Sequence, residues 1–138
     1  FEHRFFHELS GGEQQRAQLA RVLVQVWEPV TNGRPSWLLL DEPVASLDIA
    51  HQLEVMHLAK DYARAGGGVI AVMHDLNLTA MFADSVALLT NGRLLRQDAP
   101  DRVLVDDTLS DAYGCRLRVN TVPTKGTTFL LPHAASTS

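Results

Sequence analysis

Two carboxylates, Asp41 and Glu42, follow directly on the apolar run of residues 37–40, and His74 follows a second apolar run at residues 69–73. Burying an uncompensated charge is expensive, so an apolar strand that delivers two consecutive carboxylates to its tip implies a cation or a proton transfer that uses them. The first can hold a hydrated Mg²⁺ that bridges nucleotide phosphates. The second, pointing the other way by strand alternation, can accept a proton from an attacking water, an effect of about 10² to 10⁴ in rate. At the tip of a second parallel strand, His74 would share an edge with Glu42, where an imidazole can hydrogen-bond a terminal phosphate and orient the water. A third candidate is "LSGGEQQR" at residues 9–16. Glycine costs roughly 1 kcal/mol inside a helix, so an adjacent pair marks a close approach of backbone to something else. Ser10 is a good N-cap and Glu13 completes a capping box, which places Gly11 and Gly12 in a first turn whose free N–H groups suit a phosphate. Each motif alone has a plainer reading: a solvated strand end before a proline turn, a core or turn histidine, a capped helix with a flexible lead-in.

The elements that must position these groups are legible in the periodicity. Residues 14–27 carry Ala17, Leu19, Ala20, Leu23, Val24, Val26 and Trp27 at helical spacing with a broad apolar face. Residues 28–35, with two prolines and an Asn-Gly pair, read as a loop. Residues 37–40 form a short unbroken apolar run, the pattern of a strand buried on both faces of a parallel sheet. A second helix is expected over residues 49–65, with Ile49, Leu53, Met56, Ala59 and Ala63 on one stripe and the glycines at 66–68 ending it. A strand at 69–73 completes a βαβ unit, and a helix at 76–82 followed by a strand at 85–90 repeats the arrangement. Asn91-Gly92 predicts a hairpin that adds an antiparallel edge strand. Small helices near 100–105 and 108–113 and a strand pair at 117–121 and 127–130 complete an α/β fold. In such sheets ligands bind at the carboxyl ends of the strands, where Asp41, Glu42 and His74 lie.

Composition narrows the function classes. At 138 residues and 46% apolar content the chain fits about one globular domain. A net charge of -4, with no lysines and arginines gathered on one face, argues against a nucleic-acid partner. The single cysteine, Cys115, has no internal disulfide partner and is expected as a small buried group. With no run of 18 apolar residues and no charged-then-apolar leader, the sequence is expected neither to span a membrane nor to carry a secretory signal. The opening residues 1–8 lack an initiator methionine and read as cut from something longer. His51, His57 and His133 show no ligand spacing, His3 and His7 read as incidental, and Asp101, Asp106, Asp107 and Asp111 read as a solvated face.

Taken together, LSGG(E/Q), four apolar residues with Asp-Glu, Ser-Leu-Asp and strand-His occur in the order in which the sequence resembles the ATP-binding-cassette (ABC) ATPases, over about residues 9–97. The resemblance implies a partial P-loop NTPase (RecA-like) core, a parallel sheet with flanking helices and an antiparallel edge hairpin. It makes residues 9–16 the family signature, Asp41 and Glu42 the Walker B pair, Ser46 to Asp48 the D-loop and His74 the switch histidine. The catalytic residues would be Glu42 and His74. Ser10, Gly11, Gly12, Glu13, Asp41 and Asp48 would contact ATP, with Asp41 holding Mg²⁺ through water. In the family the signature closes over the γ-phosphate held by the opposing subunit of a head-to-tail dimer. Residues 1–27 would be the signature segment and its helix, 36–97 the Walker B, D-loop and switch-histidine core, and 98–138 a C-terminal extension.

"LDIAHQ", "MHDLNLTAMFAD", "NGRLLRQDAP" and "AYGCRLRV" further resemble ATPases of iron-siderophore, heme and cobalamin importers, and "LSGGEQQRAQLARVL" with "VASLDIAHQ" is most similar to the heme group. That likeness implies a peripheral subunit on the cytoplasmic face of the bacterial inner membrane, working with a second copy, a permease dimer and, indirectly, a periplasmic binding protein. The alternatives are an iron-siderophore or cobalamin importer ATPase, a non-transport ABC ATPase of DNA repair or chromosome organisation, and a degenerate structural domain. The sequence has no G-x-x-x-x-G-K-[ST], so the principal phosphate cradle of the family is absent from these residues. The 138-residue chain alone is therefore expected neither to bind ATP tightly nor to hydrolyse it. Isothermal calorimetry with Mg-ATP should show no micromolar binding, and a micromolar constant would overturn this expectation.

Overall fold

The computed structural model describes Glu13, Gln14, Arg16, Ala17, Ala20, Arg21, Val24 and residues 28–136. The early ones are all helical, as the apolar spacing predicts, but Val24 is 68% exposed and Ala20 is exposed too, so these two do not join the buried face expected of this helix. The chain divides into two compact units, Phe1–His74 and Asp75–Ser138.

In the first unit, β1 (Val30–Thr31) and β2 (Arg34–Pro35) pair antiparallel across Asn32-Gly33. Both turn residues have positive φ, 51° and 72°, which is the twist that suits a two-residue hairpin. The expected loop is thus a miniature hairpin, too short to show alternation in sequence. Strand β3 (Trp37–Asp41), helix α1 (Ile49–Arg64) and strand β4 (Gly68–Val72) form the βαβ unit. The two strands pair in parallel from Trp37 opposite Gly68 to Asp41 opposite Val72. A side chain at position 68 would run into the Trp37 ring, so glycine is what allows the indole to lie across the neighbouring strand.

Burial of this sheet is one-sided. Leu38 is 1% exposed, and α1, which packs on β4, buries Leu53, Val55, Met56 and Tyr62. The alternate residues Trp37, Leu39, Ile70 and Val72 are 53 to 74% exposed. The expectation of a strand buried on both faces is corrected accordingly: α1 covers one face only. The continuous apolar run reflects the chemistry of both faces but not their coverage among the described residues.

In the second unit, α2 (Leu76–Phe82) starts at Asp75, whose carboxylate accepts the Leu78 N–H at 2.9 Å. Strands β5 (Val86–Thr90) and β6 (Arg93–Asp98) form the expected antiparallel hairpin across Asn91-Gly92. Helices α3 (Pro100–Val103) and α4 (Asp106–Tyr113) follow, the latter ended by Gly114 in the left-handed region. The core of this unit is Leu78, Val86, Val103, Leu104 and Leu109. The strand pair expected at 117–121 and 127–130 does not form. Its backbone donors go elsewhere: Leu117 N–H donates to Ser110 Oγ at 2.9 Å and Val119 N–H to Asp106 at 2.6 Å, while Pro123 has no donor to offer. Cys115, just past the Gly114 cap in this irregular segment, is exposed, contrary to the expectation of burial.

The one-sided sheet sets a pair of opposite expectations for the chain studied alone. Leu38→Ala should lower unfolding free energy by about 2–5 kcal/mol, as for a core leucine. Leu39→Ala, on the same strand but the open face, should stay within about 0.5 kcal/mol in the same urea titration.

Candidate functional site

Parallel pairing brings the ends of β3 and β4 to one edge of the first unit. Asp41 is the last residue of β3 and is exposed. The ladder continues one step further, because Glu42 N–H donates to the Val72 carbonyl at 3.0 Å. Glu42 then leaves the strand: its φ is 47°, a left-handed conformation that is costly for a residue with a side chain and that precedes Pro43. Its direction therefore comes from this turn, and not from the strand alternation expected. From there its carboxylate reaches His74, two residues beyond β4, with Oε1 at 2.5 Å from Nε2. Because a carboxylate only accepts, Nε2 carries the hydrogen, whether the ring is neutral or cationic. Both side chains keep much of their surface open to solvent.

The segment from Glu42 to Asp48 is a pair of tight turns. Ala45 N–H donates to the Glu42 carbonyl and Leu47 N–H to the Val44 carbonyl, at 3.2 and 3.3 Å, and Ser46 also has positive φ, 62°. Pro43 and Val44 are buried, which pins the middle of the loop. Asp48 ends it as the N-cap of α1. Its Oδ1 accepts the His51 backbone N–H at 2.9 Å and lies 2.7 Å from His51 Nδ1. The bond from the His51 backbone N–H is the main reason the Asp48 carboxyl titrates below its usual range. Desolvation opposes it, and the His51 side chain and the Arg16 charge make smaller additions to the lowering.

Of the residues singled out from sequence, the structure joins Glu42 and His74 directly, sets Asp41 beside them in the chain, and puts Asp48 at the far end of the same loop. Glu13 is helical and half-buried. Ser10, Gly11 and Gly12 lie outside the described residues. His51 drew no attention by ligand spacing, yet its place three residues after an acidic N-cap is itself a local signal. Among the described residues no cluster of three or more His, Cys, Asp or Glu could hold a metal ion, and no helix is long and apolar enough to cross a membrane.

No family model matches the chain. It is 69% identical over 135 residues to a protein named hemin import ATP-binding protein HmuV from Jannaschia sp. (strain CCS1), covering 98% of this chain and 50% of that one. It is 68% identical over 133 residues to the HmuV of Roseobacter denitrificans, covering 96% and 51%. The chain thus spans about half the length of these curated relatives. Among solved structures, an ABC transporter in an inward-facing conformation matches with TM-score 0.71 at 25% identity, over 91% of this chain and 47% of that one. A dimeric, post-hydrolysis structure of the ATP-binding cassette MJ0796 bound to ADP and Pi matches with TM-score 0.56 at 30% identity, over 68% and 37%.

The cap at Asp48 carries a pH signature of defined sign. A carboxyl lowered by folding stabilises the fold fully above its usual value of 3.8 and loses that contribution as pH falls through the lowered value. Asp48→Ala should lower the urea midpoint at neutral pH, with the deficit shrinking in the acid range below that value. Asp48→Asn, which keeps an accepting oxygen, should retain most of the cap and lose the pH dependence.

Proposed function

The chain belongs, over the span it covers, to the ABC ATPases, and from that premise we propose that it is the C-terminal part of an ATPase domain that powers a bacterial heme importer. The observation that carries the chemistry is the contact between Glu42 and His74 at the paired strand ends. The branch rests on 69% identity to a hemin import ATP-binding protein, well above the likeness to the solved cassettes. In this reading residues 1–27 are the signature segment and helix, 36–97 the catalytic core and 98–138 a C-terminal extension.

Asp41 suits Mg²⁺. Its carboxylate is exposed and has no hydrogen bond or ion pair among the described residues, and Mg²⁺ typically keeps several waters while taking one or two carboxylates plus phosphate oxygens. Bound there, the ion would neutralise charge on the β- and γ-phosphate oxygens. Glu42 acts as general base: it accepts a proton from the water that attacks the γ-phosphorus, and ADP departs as the bond to its β-phosphate oxygen breaks. His74 holds the Glu42 carboxylate through Nε2–H and, with ATP in place, turns that donor toward the γ-phosphate. Ser10, through its hydroxyl, and the backbone N–H groups of Gly11 and Gly12 donate to the γ-phosphate of an ATP bound mainly by a second copy, with Glu13 and Asp48 lining the same site. The partners are that second copy, arranged head to tail, a membrane-embedded permease dimer on whose cytoplasmic side the ATPase sits, and indirectly a periplasmic binding protein. The ATPase itself does not touch the cargo.

Glu42→Gln in the full-length protein tests the assignment. ATP should still bind and drive dimerisation, while turnover falls by at least about 100-fold, because the amide cannot take the proton. Turnover within a fewfold of wild type would remove Glu42 from the role of base.

A further inference from the structure

Asp48 is held by one residue through two separate donors. The His51 backbone N–H and ring Nδ1 both converge on Oδ1, at 2.9 and 2.7 Å, and the second contact requires a hydrogen on Nδ1 because the carboxylate can only accept. The backbone bond alone is an ordinary helix cap that any residue at position 51 supplies. The ring bond depends on the side chain, and it fixes which way the rest of the carboxylate faces. The His51 side chain is the better shielded partner, 33% exposed against 66% for Asp48, so the ring is the anchored member and the carboxylate the presented one. The neighbouring Gln52 ties the same turn from inside: its backbone N–H donates to the Asp48 carbonyl at 2.9 Å and its side chain to the Val44 carbonyl at 3.4 Å.

We propose that His51 is a positioning residue for the ATPase reaction, acting by holding the Asp48 carboxylate in the orientation that the nucleotide site uses. The inference rests on the reading of Asp48 as part of that site. His51 touches no substrate. It acts through Asp48, at one end of a loop whose other end is Glu42, with the buried Pro43 and Val44 between. Among the described residues the Arg16 charge also acts on Asp48 without a hydrogen bond to it, which leaves the ring as the orienting side-chain contact beside the backbone bond.

The test is steady-state ATPase kinetics on the full-length protein with its permease. His51→Ala should lower kcat/KM by about two- to fivefold, the scale of a partly exposed charged contact. His51→Asn places an amide N–H at the same distance from the backbone as Nδ1 and should recover most of the loss, whereas His51→Gln, one carbon longer, should not. Circular dichroism spectra showing folded protein at the assay temperature would accompany either result. In an Asp48→Ala background, adding His51→Ala should change kcat/KM no further. If Asp48→Ala is impaired while His51→Ala is not, or if the two losses multiply, the positioning role is wrong and Asp48 keeps its place in the site. If Asp48→Ala itself leaves kcat/KM unchanged, the reading of Asp48 falls and the role of His51 with it. If Asn fails to rescue where Gln does, the Nδ1 contact is not the one that matters.

Discussion

The five-residue parallel ladder between β3 and β4 decides which side chains can meet. Asp41 opposite Val72 is the pairing that lets Glu42 N–H reach the Val72 carbonyl, and His74 follows two residues beyond the end of that neighbouring strand. A slip of one residue would move His74 by about 3.3 Å relative to Glu42, more than a hydrogen bond tolerates. It would also exchange the buried and exposed faces of one strand, putting Leu39 where Leu38 now lies. Packing and chemistry thus constrain the same register. Leu38, fully buried, and Gly68, which leaves room for the Trp37 ring, hold the pairing from which the site follows.

The one-sided burial of the sheet bears on that site as well. Trp37, Leu39 and Asp41 alternate onto one face, and Ile70 and Val72 lie beside them on the other strand. That face is apolar along its length and ends in a carboxylate. Covering an apolar face stabilises it in proportion to the area removed from water, but a carboxylate drawn into the same cover would lose its hydration without a partner. The shaft of the face favours cover and its tip favours water or a cation. The position of Asp41, at the last residue of β3, is where these demands can both be met.

How much of this could be read beforehand depends on the length scale of the signal. The helices over 49–64 and 76–82 and the strands beside them were legible because apolar spacing, the glycines at 66–68 and the repeated βαβ order agree over many residues. Glu42 and His74 could be placed on one edge from the βαβ pattern alone. The hairpin at residues 30–35 could not, since two residues per strand show no alternation. The segment from 117 to 130 misled for a different reason: its apolar residues suit strands, but Ser110 and Asp106 of α4 take the backbone donors of Leu117 and Val119, a competition that the segment's own pattern does not report. Exposure of Trp37 and Leu39 was illegible because a strand reports how apolar each face is, not what lies over it.

The left-handed φ at Glu42 has a physical reason within this arrangement. Strained positions of this kind cost about 1–3 kcal/mol and persist where the surroundings over-determine them. Here the surroundings are the Glu42 N–H bond to Val72, the turn bond from Ala45 and the buried Pro43. Two consecutive carboxylates need to be kept apart if one is to hold a cation and the other to take a proton, since on a shared target they would compete. Simple alternation would send Glu42 toward the face that α1 covers, where an ionised side chain is costly. The left-handed turn offers a third direction, off the sheet's edge toward His74. The strain is the structural consequence of giving adjacent carboxylates different targets at the end of one strand.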